Sequence, residues 1–157
     1  MLEVHSPAFG NDMPLPIRFA SPVAGGSDIS PPLTWTALPP GTRSLAVTCV
    51  DGHPVAREWL HWLVVDLPAD LPFLSEGASG SRMIPPGARE LVGTDGTAGY
   101  RGAGPPPGTG PHPYQFTVWA LDLAQLPLDD TAGLDAFRSA TDGHVLDQGS
   151  ITALYER

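Results

Sequence analysis

The sequence predicts a mostly β fold in one domain, and three observations carry that expectation. Five short segments are rich in Val, Leu, Trp, Thr and Tyr, the residues that fit a pleated, half-buried surface. Turn formers bound each segment, with 18 Gly and 19 Pro in 157 residues. The chain is also 41% apolar with four tryptophans, too hydrophobic for a disordered segment and long enough for a single core. No internal repeat and no linker divides it, so residues 1–157 are read as one domain.

The strand candidates, in order, are IRFA at 17–20, SLAVTCVD at 44–51, WLHWLVVDL at 59–67, YQFTVWALD at 114–122 and GSITALYE at 149–156. Strict alternation in the third puts Trp59, His61, Leu63 and Val65 on one face, and Leu60, Trp62 and Val64 on the other. Ser30 to Trp35 leads into a further strand with Trp35 as a core plug, and Trp62 and Trp119 are core or interface aromatics. One helix is expected from about Thr131 to Thr141. Asp130 or Thr131 caps it, Leu134 and Phe137 share its apolar face, and Gly143 stops it. Strands and helices do not alternate as a parallel α/β sheet requires.

Charge excludes some partners. Eight arginines and no lysine face seventeen acidic residues, a net charge of −9 with no basic cluster, so neither nucleic acid nor an anionic membrane surface is an expected partner. No apolar run approaches membrane-spanning length, and the start MLEVHSPAFG lacks the basic, apolar pattern of a signal peptide. A cytoplasmic location is the expectation. The single cysteine, Cys49, sits within an apolar strand and reads as a buried core thiol.

Two places concentrate chemistry. Asp51 ends a strand and is followed by Gly52, His53 and Pro54, so its carboxylate either accepts local backbone amides or orients a histidine. The stretch GAGPPPGTGPHPYQF, 102–116, is stiffened by prolines, lacks the Gly-Lys-Ser/Thr ending of a nucleotide loop, and delivers His112 and Tyr114 to one side of a strand start. A rigid wall with two donors is how a small-molecule site is built.

At these residues the chain resembles the phosphatidylethanolamine-binding protein family, including its bacterial Raf-kinase-inhibitor-like members. The resemblance runs nearly end to end, through SPAFGNDMPLPIRF, DISPPLTW, DGHPVAREWLHWLVVDLP, GAGPPPGTGPHPYQFTVWALD and GHVLDQGSITALYER. It implies an antiparallel β-sandwich with a few short peripheral helices. It also implies a small cavity for phosphate-like or phospholipid head groups, and bacterial relatives tend to be homodimers. The family's ligand-site residues fall on Asp51, Trp59, His61, Pro105, Pro106, His112 and Tyr114. His53 stands where a second acid is usual, which is expected to make the cavity less negative, and Pro113 replaces the usual arginine between the histidine and the tyrosine.

The resulting expectation is a non-catalytic binding or regulatory protein with no cofactor, whose partners are a small anionic or phosphorylated ligand and, by family analogy, a kinase or other signalling protein. His61, His112 and Tyr114 are to donate to the anion and Trp59, Pro105 and Pro106 to wall it. Replacing His112 is expected to weaken binding and spare the fold. Two alternatives are a metal-dependent enzyme using Asp51, His53, His61 and His112, and a serine hydrolase. For the latter the Gly77–Ser81 stretch ends in Ser where a nucleophile elbow needs Gly.

Overall fold

The computed structural model describes all of residues 1–157 and contains two sheets and one α-helix. Strands β1 (Glu3–His5), β3 (Leu33–Thr36) and β6 (Phe73–Leu74) form a small sheet in the order β1-β3-β6. The large sheet has the order β2-β9-β8-β4-β5-β7, from β2 (Met13–Pro14), β9 (Val145–Tyr155), β8 (His112–Leu121), β4 (Ser44–Asp51), β5 (Leu60–Pro68) and β7 (Arg89–Glu90). All pairings between these strands are antiparallel except β2 with β9.

Four of the five strand candidates are the four long strands of the large sheet. The first, IRFA, is a single 3₁₀ turn over Ile17–Phe19. Pro16 before it and Pro22 after it fix φ and remove ladder donors, and Phe19 still enters the core fully buried. Trp35 is buried as expected, its indole N–H donating to the Leu71 carbonyl.

The main core lies between the sheets, with Val4, Leu33, Trp35 and Leu74 facing Leu45, Val47, Cys49, Trp62, Phe116, Val118 and Ile151. Cys49 is 1% exposed and burial pushes its thiol well above the ordinary value, so it is an inert core group. A second cluster covers the other face of the large sheet, where Phe137 of α1 (Gly133–Thr141) packs with Leu60, Leu63, Val65 and Leu121. The helix cap differs from expectation. Ala132 holds the N-cap position with helical angles and no side-chain bond, because Asp129 Oδ1 has already taken the Thr131 N–H and hydroxyl in a turn one residue earlier. Gly143, at φ +78°, follows the helix end in the left-handed conformation. No helix is long and apolar enough to cross a membrane.

One feature of β5 sets the site. In the pairing with β4, Val50 opposes Leu60 and Cys49 opposes Trp62, so His61 is an extra residue in a β-bulge. The bulge breaks the expected alternation. Leu60 joins Leu63 and Val65 on the helix side, while His61 meets Tyr114 on the side facing the small sheet, which it shares with Trp62.

Candidate functional site

At one end of the large sheet, beyond the main core, a cavity of about 500 Å³ opens. Neighbouring strands bring its polar floor together. Asp51 at the end of β4 pairs in register with Tyr114 of β8, and His112 begins β8 two residues earlier on the same face. Tyr114 stands between the imidazoles, edge-on to His61 at 5.1 Å between ring centroids and 6.4 Å from His112. The loop wall is Ser21–Val23 and Gly104–Pro106, and Val55, Ala56 and Trp59 close another side. Of the eight residues expected at the site, Asp51, Trp59, His61, Pro105, Pro106, His112 and Tyr114 line this cavity.

His53 does not line it. Its ring lies flat against His112, 3.9 Å between centroids and 8° from parallel, and its Nδ1 accepts the Val55 N–H. Proline at 54 turns the chain there, so this imidazole backs His112 from outside the cavity lining.

The two readings of Asp51 hold together. Oδ1 accepts the His53 backbone N–H at 2.9 Å and Oδ2 meets His112 Nδ1 at 2.7 Å. His112 is wholly buried, and its Nε2 is 2.7 Å from Thr109 Oγ1, which also lies 2.8 Å from the Pro106 carbonyl. The single hydroxyl proton serves one of these two neighbours. Both imidazole nitrogens are therefore engaged within the protein, and His112 presents no free ring nitrogen to the cavity. The same bonds tie the loop to Asp51, so its shape does not come from prolines alone, and His112 has a structural part that the sequence reading does not give it.

His61 is held differently. Its Nδ1 lies 2.9 Å from the Arg101 carbonyl, which can only accept, so Nδ1 carries the proton and Nε2 is left for the cavity. Burial lowers its pKa, outweighing the nearby carbonyl and carboxylates. The Tyr114 hydroxyl is buried with no hydrogen bond of normal geometry, although it lies close enough to the Asp51 carboxylate to feel it directly. Burial, and then the charge of Asp51, raises its pKa far above the ordinary phenol value. Ser21 Oγ, on the loop wall, is the other buried side-chain polar atom lacking a partner. It sits against Gly104, where a Cβ would come within 2.6 Å of it.

Sequence reasoning missed Ser21, Asp28, Asp95 and Arg101, all of which line the cavity. Arg101 bridges Asp95 and Asp28, and the Asp28 carboxylate also accepts the Gly102 N–H at 2.8 Å. Gly102 is required there, because a Cβ would lie 2.2 Å from the Ala20 carbonyl carbon. Outside the cavity, Arg157 donates to the Pro105 and Val23 carbonyls, fastening the two wall loops together. Asp28 lies in the quoted segment DISPPLTW, which was the available signal; Arg101 and Asp95 carried none.

No three His, Cys, Asp or Glu side chains are grouped to hold a metal ion. Ser79 and Ser81 lie in a loop with their hydroxyls bound to backbone, away from the cavity, and the hydroxyl that meets His112 is that of Thr109.

Comparisons with known proteins identify the family. The chain matches the family described as phosphatidylethanolamine-binding protein over residues 5–156. It is 35% identical to a UPF0098 protein of Methanothermobacter thermautotrophicus over 96% of this chain and 95% of that one. It is 41% identical to the UPF0098 protein YbhB of Escherichia coli over 83% of each. Among solved structures it is similar to Escherichia coli YbcL, described as a member of the mammalian PEBP family, with a TM-score of 0.93 at 33% identity over 99% and 98% of the two chains. It is also similar to CT736 of Chlamydia trachomatis, with a TM-score of 0.84 at 28% identity over 99% and 97%. The fold, the strand-end cavity and the near full-length match lead to one assignment: the chain belongs to the phosphatidylethanolamine-binding protein family.

Proposed function

We propose that this protein is a non-catalytic, cytoplasmic binding module whose cavity takes a small anionic group of the phosphate or phospholipid head-group kind. We further propose that it acts as a homodimer, and that ligand occupancy modulates a protein partner such as a kinase. The observation that supports the binding reading is the Tyr114 hydroxyl, buried, unpartnered and lining the cavity beside two imidazoles. An unmet buried hydroxyl costs roughly 1–3 kcal/mol, and a ligand oxygen that accepts from it removes that cost on binding.

The pH dependence follows from His61. With Nδ1 committed to Arg101, the neutral ring offers Nε2 as an acceptor, and proton uptake turns it into a donor. An oxyanion therefore favours the protonated ring and raises its lowered pKa, so affinity falls as pH rises. In the free protein the sign is opposite. The lowered pKa contributes stability above the unfolded value, and that stability is lost as pH falls through the folded one.

Isothermal titration with inorganic phosphate and with phosphoethanolamine, at pH 5.5 and 8, tests the reading on wild type and Tyr114→Phe. Binding is expected to be tighter at pH 5.5, and loss of the hydroxyl to weaken it roughly tenfold without loss of stability. Absence of binding by the wild type, or equal affinity in both proteins at both pH values, overturns it.

A further inference from the structure

An anionic ligand meets an electrostatic obstacle in this cavity. Three carboxylates, Asp28, Asp51 and Asp95, line it, and the chain as a whole carries a net charge of −9. Arg101 is the one lysine or arginine among the lining residues. Without a cation at contact distance, an oxyanion is repelled. We infer that Arg101 anchors an oxyanion ligand at contact, through guanidinium N–H groups that the protein leaves free. This deepens the anionic reading above and rests on it.

The anchor is built from several directions. The Arg101 backbone is locked to the bulge, its N–H donating to the His61 carbonyl and its carbonyl accepting from His61 Nδ1, each at 2.9 Å. The side chain is held by Asp95, six residues earlier in the same β7–β8 connection, and by Asp28 from the segment before β3. Nε donates to Asp95 Oδ2 at 2.8 Å and Nη1 to Asp28 Oδ2 at 3.3 Å. Each acid is itself fixed, Asp95 by the Thr97 N–H and Asp28 by the Gly102 N–H. Asp28 takes a left-handed backbone, φ +54°, which aspartate tolerates as a single residue in a turn.

A guanidinium has five N–H donors in a planar fork. The two acids take two of them, and Nη2 makes no hydrogen bond within the protein. The unused donors suit two oxygens of one phosphoryl group, in the bidentate geometry that makes Arg–oxyanion contacts strong. Because Asp28 and Asp95 more than cancel the guanidinium charge, the attraction acts at contact and not at a distance. The site therefore distinguishes a ligand that presents paired oxygens from a diffuse anion. Free phosphate and a phosphorylated head group share that chemistry, and the two titrants distinguish them.

The test exploits pH. Imidazoles lose their protons toward pH 8 while a guanidinium keeps its charge. Wild type, Arg101→Gln and Arg101→Lys are titrated at pH 8 with inorganic phosphate and with phosphoethanolamine. Wild type is expected to retain binding, Arg101→Gln to lose roughly ten- to a hundredfold, and Arg101→Lys, which keeps the charge and loses the fork, to fall between them. Phosphoethanolamine binding more tightly than phosphate identifies the head group as the source, and the reverse identifies free phosphate; either order upholds the anchor. Should Arg101→Gln fold poorly, the Nε–H resonance of Arg101 in the wild type, assigned by its loss in Arg101→Lys, is expected to shift on phosphate addition. An unmoved resonance at saturation, or undiminished binding by folded Arg101→Gln, overturns the inference alone. A wild type that binds neither titrant at pH 5.5 or 8 overturns the anionic reading and this inference with it.

Discussion

Asp51 uses its two oxygens for two tasks, and that division makes the neighbouring histidine structural as well as functional. Oδ1 closes the turn into His53 and Oδ2 holds His112, both inside the protein. Truncating His112 to alanine strands a carboxylate that is only 4% exposed and removes the link through Thr109 to the Pro106 loop. Breaking one side of a buried pair costs about 3–5 kcal/mol, so His112→Ala is expected to lower the urea midpoint strongly. Adding Asp51→Asn is expected to recover part of the loss, because the stranded charge is gone. An unchanged midpoint in the single variant would show that water, not His112, satisfies Asp51. Tyr114→Phe is the opposite case, since its hydroxyl makes no hydrogen bond of normal geometry.

At the scale of elements, the four long strands were legible because runs such as SLAVTCVD are apolar, β-branched and bounded by turns. The bulge at His61 was not, because a register shift belongs to a pair of strands and leaves no mark in either one. The 3₁₀ turn at Ile17 was misread for a related reason: four apolar residues have no period that separates strand from turn, and the flanking prolines decided it. The helix was legible through Phe137, whose side chain is fully buried against the far face of the large sheet and the Trp119 ring. Phe137→Ala is expected to cost about 3–5 kcal/mol, read as a lower melting temperature. The cavity lies on the other face, so phosphate affinity below the transition should be unchanged. Loss of affinity in step with stability would mean that the two faces are coupled through the sheet.

For the whole molecule, site residues on strands and in recognisable motifs could be read from the chain, whereas Ser21, Asp28, Asp95 and Arg101 are brought in by loops that only the closed fold juxtaposes. Oligomeric state belongs to this scale too. If the protein is a homodimer, sedimentation equilibrium at micromolar concentration gives twice the chain mass of 16.5 kDa, and a single species at the chain mass rules the dimer out. The bulge has one more implication. His61 is surplus to the ladder, with Leu60 and Trp62 already opposite consecutive residues of β4. A β5 one residue shorter at that point would still zip onto β4, with its apolar faces in place and the imidazole gone. Ladder and site are therefore distinct here: the one residue that drops out of the β4 pairing is the one whose carbonyl and Nδ1 hold the Arg101 backbone, so losing it would leave the sheet zipped and the cavity floor undone.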